Sequence, residues 1–142
     1  MFIGEYKASL DGKSRVIIPA KLRDELGSRF IMTKGLDPCL TIYTQESWEA
    51  FSQKLAELPS ASNEARIYSR YFAAGATECE LDSQGRVTVP QHLREYAGLE
   101  RELIVNGMLT KIEIWSRDQY LASESNNLSL DAIAEKMAEL GI

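Results

Sequence analysis

Cysteine and histidine are scarce in this 142-residue chain, which has two cysteines, Cys39 and Cys79, and one histidine, His92. Two cysteines are too few for a disulfide scaffold or a zinc site, and they read as reduced thiols of a cytosolic protein. One histidine leaves little room for histidine-based catalysis. No apolar run approaches the roughly 18 residues of a membrane span. The longest, VIIPA at 16–20, contains Pro19. The opening MFIGEYK has no basic stretch followed by an apolar one, so it does not read as a secretory leader. A phosphate-cradling glycine loop, a G-x-S-x-G turn and a metal-spaced His/Cys cluster are all missing, which makes an enzyme a poor reading. What remains, 44% hydrophobic and 26% charged residues, is an ordinary globular composition.

The charge is acidic overall and uneven. A formal net charge of −5 argues against a nucleic-acid partner if taken alone. Residues 1–75, however, carry ten basic and nine acidic side chains, whereas 76–142 carry six and twelve. Five bases (Lys7, Lys13, Arg15, Lys21 and Arg23) fall between positions 7 and 23. A small basic patch can hold phosphate on an acidic protein, because at physiological salt the field fades over about 8 Å.

The chain repeats itself. LDGKSRVIIPAKLRDELG (10–27) and LDSQGRVTVPQHLREYAG (81–98) are identical at eight of 18 positions with an offset of 71. After one inserted residue FIMTKG (30–35) matches ELIVNG (102–107), and LTIYT (40–44) matches IEIWS (112–116). Two copies do not make a solenoid. A unit under 50 residues buries too little apolar surface to stand alone, so a pseudo-symmetric pair is expected.

Each copy parses alike. A strand runs to Leu10 or Leu81, a loop follows (DGKS or DSQG), and a short β-branched strand comes next (RVIIP or RVTVP). Pro19 or Pro90 opens a short helix, which Gly27 or Gly98 ends as a left-handed residue. Two more strands follow, at 30–34 and 40–43 or at 102–106 and 111–115, joined by a turn holding Gly35 or Gly107. Thr44 and Ser116 are helix N-cap candidates, Ser116 with Gln119 as a capping box. Between the copies, Trp48, Phe51, Leu55 and Leu58 form one helical stripe that Pro59 stops, with Trp48, Phe51 and Leu55 read as core or inter-copy packing. SASN (60–63) is a turn and cap for a second helix bearing Ile67 and Tyr71 on one face and Arg66 and Arg70 on another. SESNN (123–127) reads as a linker, and Ser129 caps a last helix with Leu130, Ile133, Ala134, Met137 and Leu140 on one side.

The doubled D-x-x-x-R-[VI]-x-[VI]-P-x-x-L-R, with the opening MFIGEY and the central RYFAAGA, resembles the MraZ family of bacterial transcriptional regulators with two SpoVT-AbrB-type domains. The resemblance implies a mainly β fold with helices (α+β). Two interleaved AbrB-type swapped-hairpin units would form an intrachain pseudo-dimer barrel, at 5–47 and 76–119. A helical connector at 48–75 and a C-terminal helix at 128–142 complete the division. It further implies a ring-shaped homo-oligomer in the cytoplasm, associated with the nucleoid. Such a ring would bind spaced direct repeats of double-stranded DNA near the promoter of the division and cell-wall gene cluster, without cofactor, metal, membrane or small-molecule substrate.

The site residues follow from the repeated loop. Asp11 and Arg15 bracket it in one copy, Asp82 and Arg86 in the other. Each aspartate is placed to accept backbone N–H groups of the turn or to hold its arginine. An arginine on a rigid hairpin can bridge phosphate oxygens or the O6 and N7 of guanine, and a two-stranded ribbon fits the major groove. One such Asp–Arg pair taken alone reads equally as a surface ion pair, since Asp-Gly is itself a common hairpin signal, but its recurrence at an offset of 71 favours a site. A partner arginine keeps either carboxylate ionised, which disfavours a general acid. Lys13 adds a phosphate contact at the first tip, where the second copy has Gln84; Glu78 and Glu80 flank the second loop. The first copy is therefore expected to dominate, with Lys7 on its leading strand. For Arg23 and Arg94 a solvated helix face explains the sequence as well as DNA does. Arg66 and Arg70 are left between solvent, a neighbouring subunit and DNA. The competing reading is an assembly or antitoxin-like protein-binding module without DNA readout.

Overall fold

The structure is a computed structural model that describes residues 1–125 and 129–142. It is an α+β fold whose first repeat supplies β1 (Glu5–Ser9), β2 (Arg15–Ile17), α1 (Ala20–Leu26), β3 (Arg29–Lys34) and β4 (Leu40–Thr44). The connector holds α2 (Gln45–Ala56) and α3 (Asn63–Ala73). The second repeat follows the same order: β5 (Thr77–Glu80), β6 (Arg86–Thr88), α4 (Gln91–Ala97), β7 (Glu102–Met108) and β8 (Lys111–Ser116). Two helices end the described chain, α5 (Arg117–Ser125) and α6 (Leu130–Ala138).

The two repeats are interlaced rather than adjacent. One antiparallel six-stranded sheet has the order β1-β7-β8-β4-β3-β5, and β2 pairs with β6 in a separate ribbon. The leading strand of each repeat thus lies against the other repeat: β1 on β7, with Lys7 opposite Ile104, and β5 on β3, with Glu78 opposite Ile31. The exchange continues at the ribbon. Ile18 N–H donates to Gly85 O at 3.0 Å, and Val89 N–H donates to Ser14 O at 2.8 Å. Backbone groups that a lone repeat would leave unpaired are satisfied by its sibling.

The sheet does not close into the expected barrel, because β1 and β5 stand at its two ends. Each chain segment leaves the sheet at Leu10 or Leu81 and turns into the ribbon, whose two strands pair with each other, with one further bridge from Val16 back to Leu10. Val16, Ile18, Leu22 and Leu26 of one repeat and Val87, Val89, Leu93 and Ala97 of the other are buried in a single core with Phe30, Leu40, Ile42, Leu103, Ile112 and Ile114. Burying a side chain of this size contributes about 1.5–3 kcal/mol.

Several local expectations need correction. Pro19 and Pro90 sit one residue before their helices, in extended backbone, where a missing N–H costs nothing. Gly98 is left-handed as expected, but Gly27 combines φ 79° with ψ 176°, outside that region. The two extra residues between Gly98 and Leu103 make Leu103, not Glu102, the counterpart of Phe30: Phe30 faces Cys79 just as Leu103 faces Ala8. A one-residue slip would turn Glu102 into the core. Gly107 accordingly lies inside β7 rather than in the turn, which Leu109 makes with φ 67°. Leu58 falls beyond α2, whereas Trp48, Phe51 and Leu55 lie on it, half-buried. The expected linker at 123–127 is helical through Ser125; its last two residues lie outside the described ones.

The caps at Thr44, Ser62 and Ser129 form as read, each side chain accepting a first-turn N–H. Ser116 Oγ accepts from Gln119 N–H at 3.5 Å, a marginal cap. The connector is fastened by aromatic contacts. Tyr43 stacks on Phe51 with ring centroids 5.4 Å apart, and Phe51 meets Phe72 at 5.2 Å. Tyr71 donates to Gly35 O at 2.6 Å and touches the hydroxyl of Tyr96, joining α3, the turn after β3 and α4.

The amino-terminal segment lies across β7. Phe2 is buried and exchanges backbone hydrogen bonds of 2.8 Å with Leu109. A Cβ on Gly107 would stand 2.4 Å from Ile3 N and 2.6 Å from Phe2 C, both backbone atoms that cannot step aside. Gly107→Ala is therefore expected to lower stability in urea unfolding by about 1–3 kcal/mol, the usual cost of overpacking. Gly12→Ala, where no atom lies within 4 Å, is the control and should change little.

Candidate nucleic-acid interface

The two loops have the same construction. In the first, Asp11 Oδ1 accepts the N–H groups of Lys13 at 2.8 Å and Arg15 at 2.9 Å, and Oδ2 accepts Nε of Arg15 at 2.8 Å. In the second, Asp82 Oδ1 accepts from Gln84 and Arg86 N–H, both at 2.9 Å, and Oδ2 accepts Nε of Arg86 at 2.7 Å. Each carboxylate thus closes its turn and orients its arginine at once. The backbone N–H of Arg15 holds the Asp11 carboxyl below its ordinary value, and that of Arg86 does the same for Asp82. Within the described residues, neither arginine makes a hydrogen bond through its terminal Nη atoms. Their side chains stay 26% and 24% exposed.

The fourth loop position needs a left-handed backbone. Gly85 supplies it with φ 77°, whereas Ser14 adopts φ 61° in the first loop. Leaving out a side chain at Gly85 has a second use: the Arg23 guanidinium lies there, and a Cβ would be 2.0 Å from its Nη1. A base from the first repeat is thereby laid on the loop of the second.

Strand alternation decides the rest of the face. In the ribbon Arg15 stands opposite Thr88, Val16 opposite Val87, and Ile17 opposite Arg86. Val16 and Val87 are buried, so Arg15, Ile17, Arg86 and Thr88 share the outward side. Ile17 and Thr88 escaped the reading of the sequence. Period-2 alternation about Val16 and Val87 was the signal that marks them.

The other predicted residues are placed less evenly. Lys13 is exposed at the first tip. Lys7 is exposed on β1, four residues before Asp11 and so about 13 Å along the strand, not at the ribbon. Arg94 donates from Nη1 to Val89 O and is half-buried, so part of its guanidinium is already engaged. Arg66 binds Ser60 O at 2.9 Å, which accounts for it locally, while Arg70 is exposed on α3. His92 is exposed, its Nε2 3.2 Å from Gly75 O. Both cysteines are buried free thiols; burial raises Cys39 far above its ordinary value and Cys79 to about 11. No described helix is long and apolar enough to cross a membrane, and no group of three metal-ligating side chains occurs among the described residues.

Comparison with known proteins adds two findings. A family model described as "MraZ protein, putative antitoxin-like" matches residues 1–71 and again 72–140. Proteins named "Transcriptional regulator MraZ" align over the whole of both chains. The one from Caldicellulosiruptor bescii is 55% identical over 143 residues, that from Alkaliphilus metalliredigens 52% over 143, and that from Clostridium acetobutylicum 51% over 142.

The carboxylate clamps carry a pH signature. Because both folded values lie below the ordinary 3.8, the stability they contribute is fully present above that value and is lost as pH falls through the lower folded one. Carboxyl-carbon NMR titration should place both midpoints below 3.8. Asp11→Asn should weaken the acid dependence of unfolding. A midpoint at or above the ordinary value would show that the turn does not use its carboxylate as described.

Proposed function

The chain belongs to the MraZ family, and from that footing we propose that it is a DNA-binding transcriptional regulator, not an enzyme, that grips duplex DNA with the paired loops and the ribbon between them. The observation that carries this reading is the doubled clamp. Two arginines, each fixed through Nε by an aspartate, keep their terminal nitrogens unspent on one ribbon face. An arginine fork so held is already ordered and can meet phosphate or guanine with little further entropic cost. Asp11 and Asp82 act as positioning residues. Lys13 and Arg23 add charge at the tips, with smaller shares for Arg94 and, on the first repeat's leading strand, Lys7. The exchange of β1 and β5 between repeats supports SpoVT-AbrB-type units, 5–47 and 76–119, built by swapped hairpins.

A single net-acidic chain with so few bases binds weakly. The reading therefore includes a ring-shaped homo-oligomer whose repeated ribbons engage spaced direct repeats near the promoter of the division and cell-wall gene cluster. Linked contacts then multiply affinity by about 10²–10⁴. Exposed apolar side chains on and after α6 (Leu130, Met137, Leu140 and Ile142) support self-association. The family description favours one other reading, an antitoxin-like module whose ribbon grips a protein. The regulator reading puts the chain in the cytoplasm, at the nucleoid.

Selection of bound duplexes from a random pool at physiological salt should enrich spaced direct repeats. On the enriched duplex, Arg15→Ala and Arg86→Ala should each weaken binding roughly 10-fold or more, the worth of one fork-like contact. Affinity should fall steeply with salt, and Lys13→Ala should lower that slope by about one while Gln84→Ala leaves it unchanged. Full binding by the double arginine variant, or a tight protein partner with no salt-sensitive DNA binding, would favour the antitoxin-like module.

A further inference from the structure

The outward ribbon face holds two side chains that the phosphate-and-guanine account does not use, Ile17 and Thr88. Ile17 is 55% exposed on a three-residue strand, although its neighbours Val16 and Ile18 are both buried. Its cross-strand partner is Arg86, and the symmetry-related pair is Thr88 beside Arg15. Directly opposed residues in such a ladder hold their Cβ atoms about 5 Å apart. Each guanidinium therefore has a β-branched, methyl-bearing side chain beside it, aimed the same way.

From this pairing we infer that Ile17 is a base-reading residue, taking the 5-methyl group of a thymine in the major groove of B-form DNA, and that its non-identity with Thr88 makes the two halves of the ribbon read different sequences. The inference rests on the regulator reading above. The major-groove edge of thymine offers a methyl group, and apolar side chains recognise it by contact alone. The clamped arginines on either side supply the charge complementarity that brings a duplex, rather than an apolar partner, to this face. Base steps stack about 3.4 Å apart, so a side chain roughly 5 Å from Arg86 reaches a base next to the one its guanidinium contacts. At the counterpart position the shorter Thr88 offers a hydroxyl beside its methyl. A two-repeat chain with a symmetric backbone thus presents an asymmetric face.

The test uses the full chain and a duplex enriched from the random pool. Each thymine is replaced in turn by uracil, which removes only the methyl group. One or two replacements should weaken binding about fourfold, the worth of one buried methyl group. With Ile17→Ala the same replacements should have no effect, while sensitivity to salt stays as in the parent. Ile17→Thr, which keeps one methyl group, should retain part of the effect. Sedimentation of both variants should match the parent. A uracil scan that is flat, or one that Ile17→Ala leaves intact, overturns this inference and leaves the regulator reading standing. A change of assembly state in Ile17→Ala reassigns the residue to a subunit contact. A parent chain that enriches no duplex overturns both readings.

Discussion

Everything in this fold depends on backbone groups that one repeat cannot satisfy alone. The ribbon strands are three residues long, and each pairs along its whole length with the strand of the other repeat. The same holds at the sheet edges, where β1 and β5 lie on strands of the sibling. An isolated repeat would expose Val16 or Val87 and leave its leading strand unpaired, at a cost that its small core could not offset. Interlacing removes that cost and places both loops at the ends of a single ribbon. Site and core are therefore one construction. The strand that buries Val16 also turns Arg15 and Ile17 outward.

The loops show how an acidic chain can still present a cationic face. Each aspartate serves the turn and the arginine together, so its negative charge is spent on N–H groups inside the loop rather than projected outward. The arginine Nη groups remain. Local geometry thus matters more than the net charge of −5, since charges farther than a Debye length are screened. The repeats have also diverged around this shared element. Lys7 and Lys13 of the first correspond to Glu78 and Gln84 of the second, and Ser14 takes a backbone conformation that glycine supplies at position 85.

The connector and the tail play different parts. The connector helices are fastened to the sheet by Tyr43, Phe51 and Phe72 and to α4 by the Tyr71–Tyr96 contact, so they hold the two repeats in a fixed relation. In the tail, by contrast, α6 keeps Leu130, Met137 and the following Leu140 exposed, although its spacing reads as an ordinary amphipathic helix. Periodicity marks an apolar face without saying what covers it.

Much of the candidate site's loop geometry was legible in the sequence because its hydrogen bonds are short-range. An aspartate four residues before an arginine, with a turn between, meets its own backbone whatever the rest of the chain does, and the doubling at an offset of 71 exposed the symmetry. The helix caps were readable for the same reason. Tertiary structure alone decided which residues of β3 and β7 correspond, the open sheet and the company of Ile17. FIM and LIV are apolar at consecutive positions and buried on both sides of the sheet, so alternation cannot say which residue of one matches which of the other. Partner choice between distant strands depends on how the whole core packs, which no local pattern records.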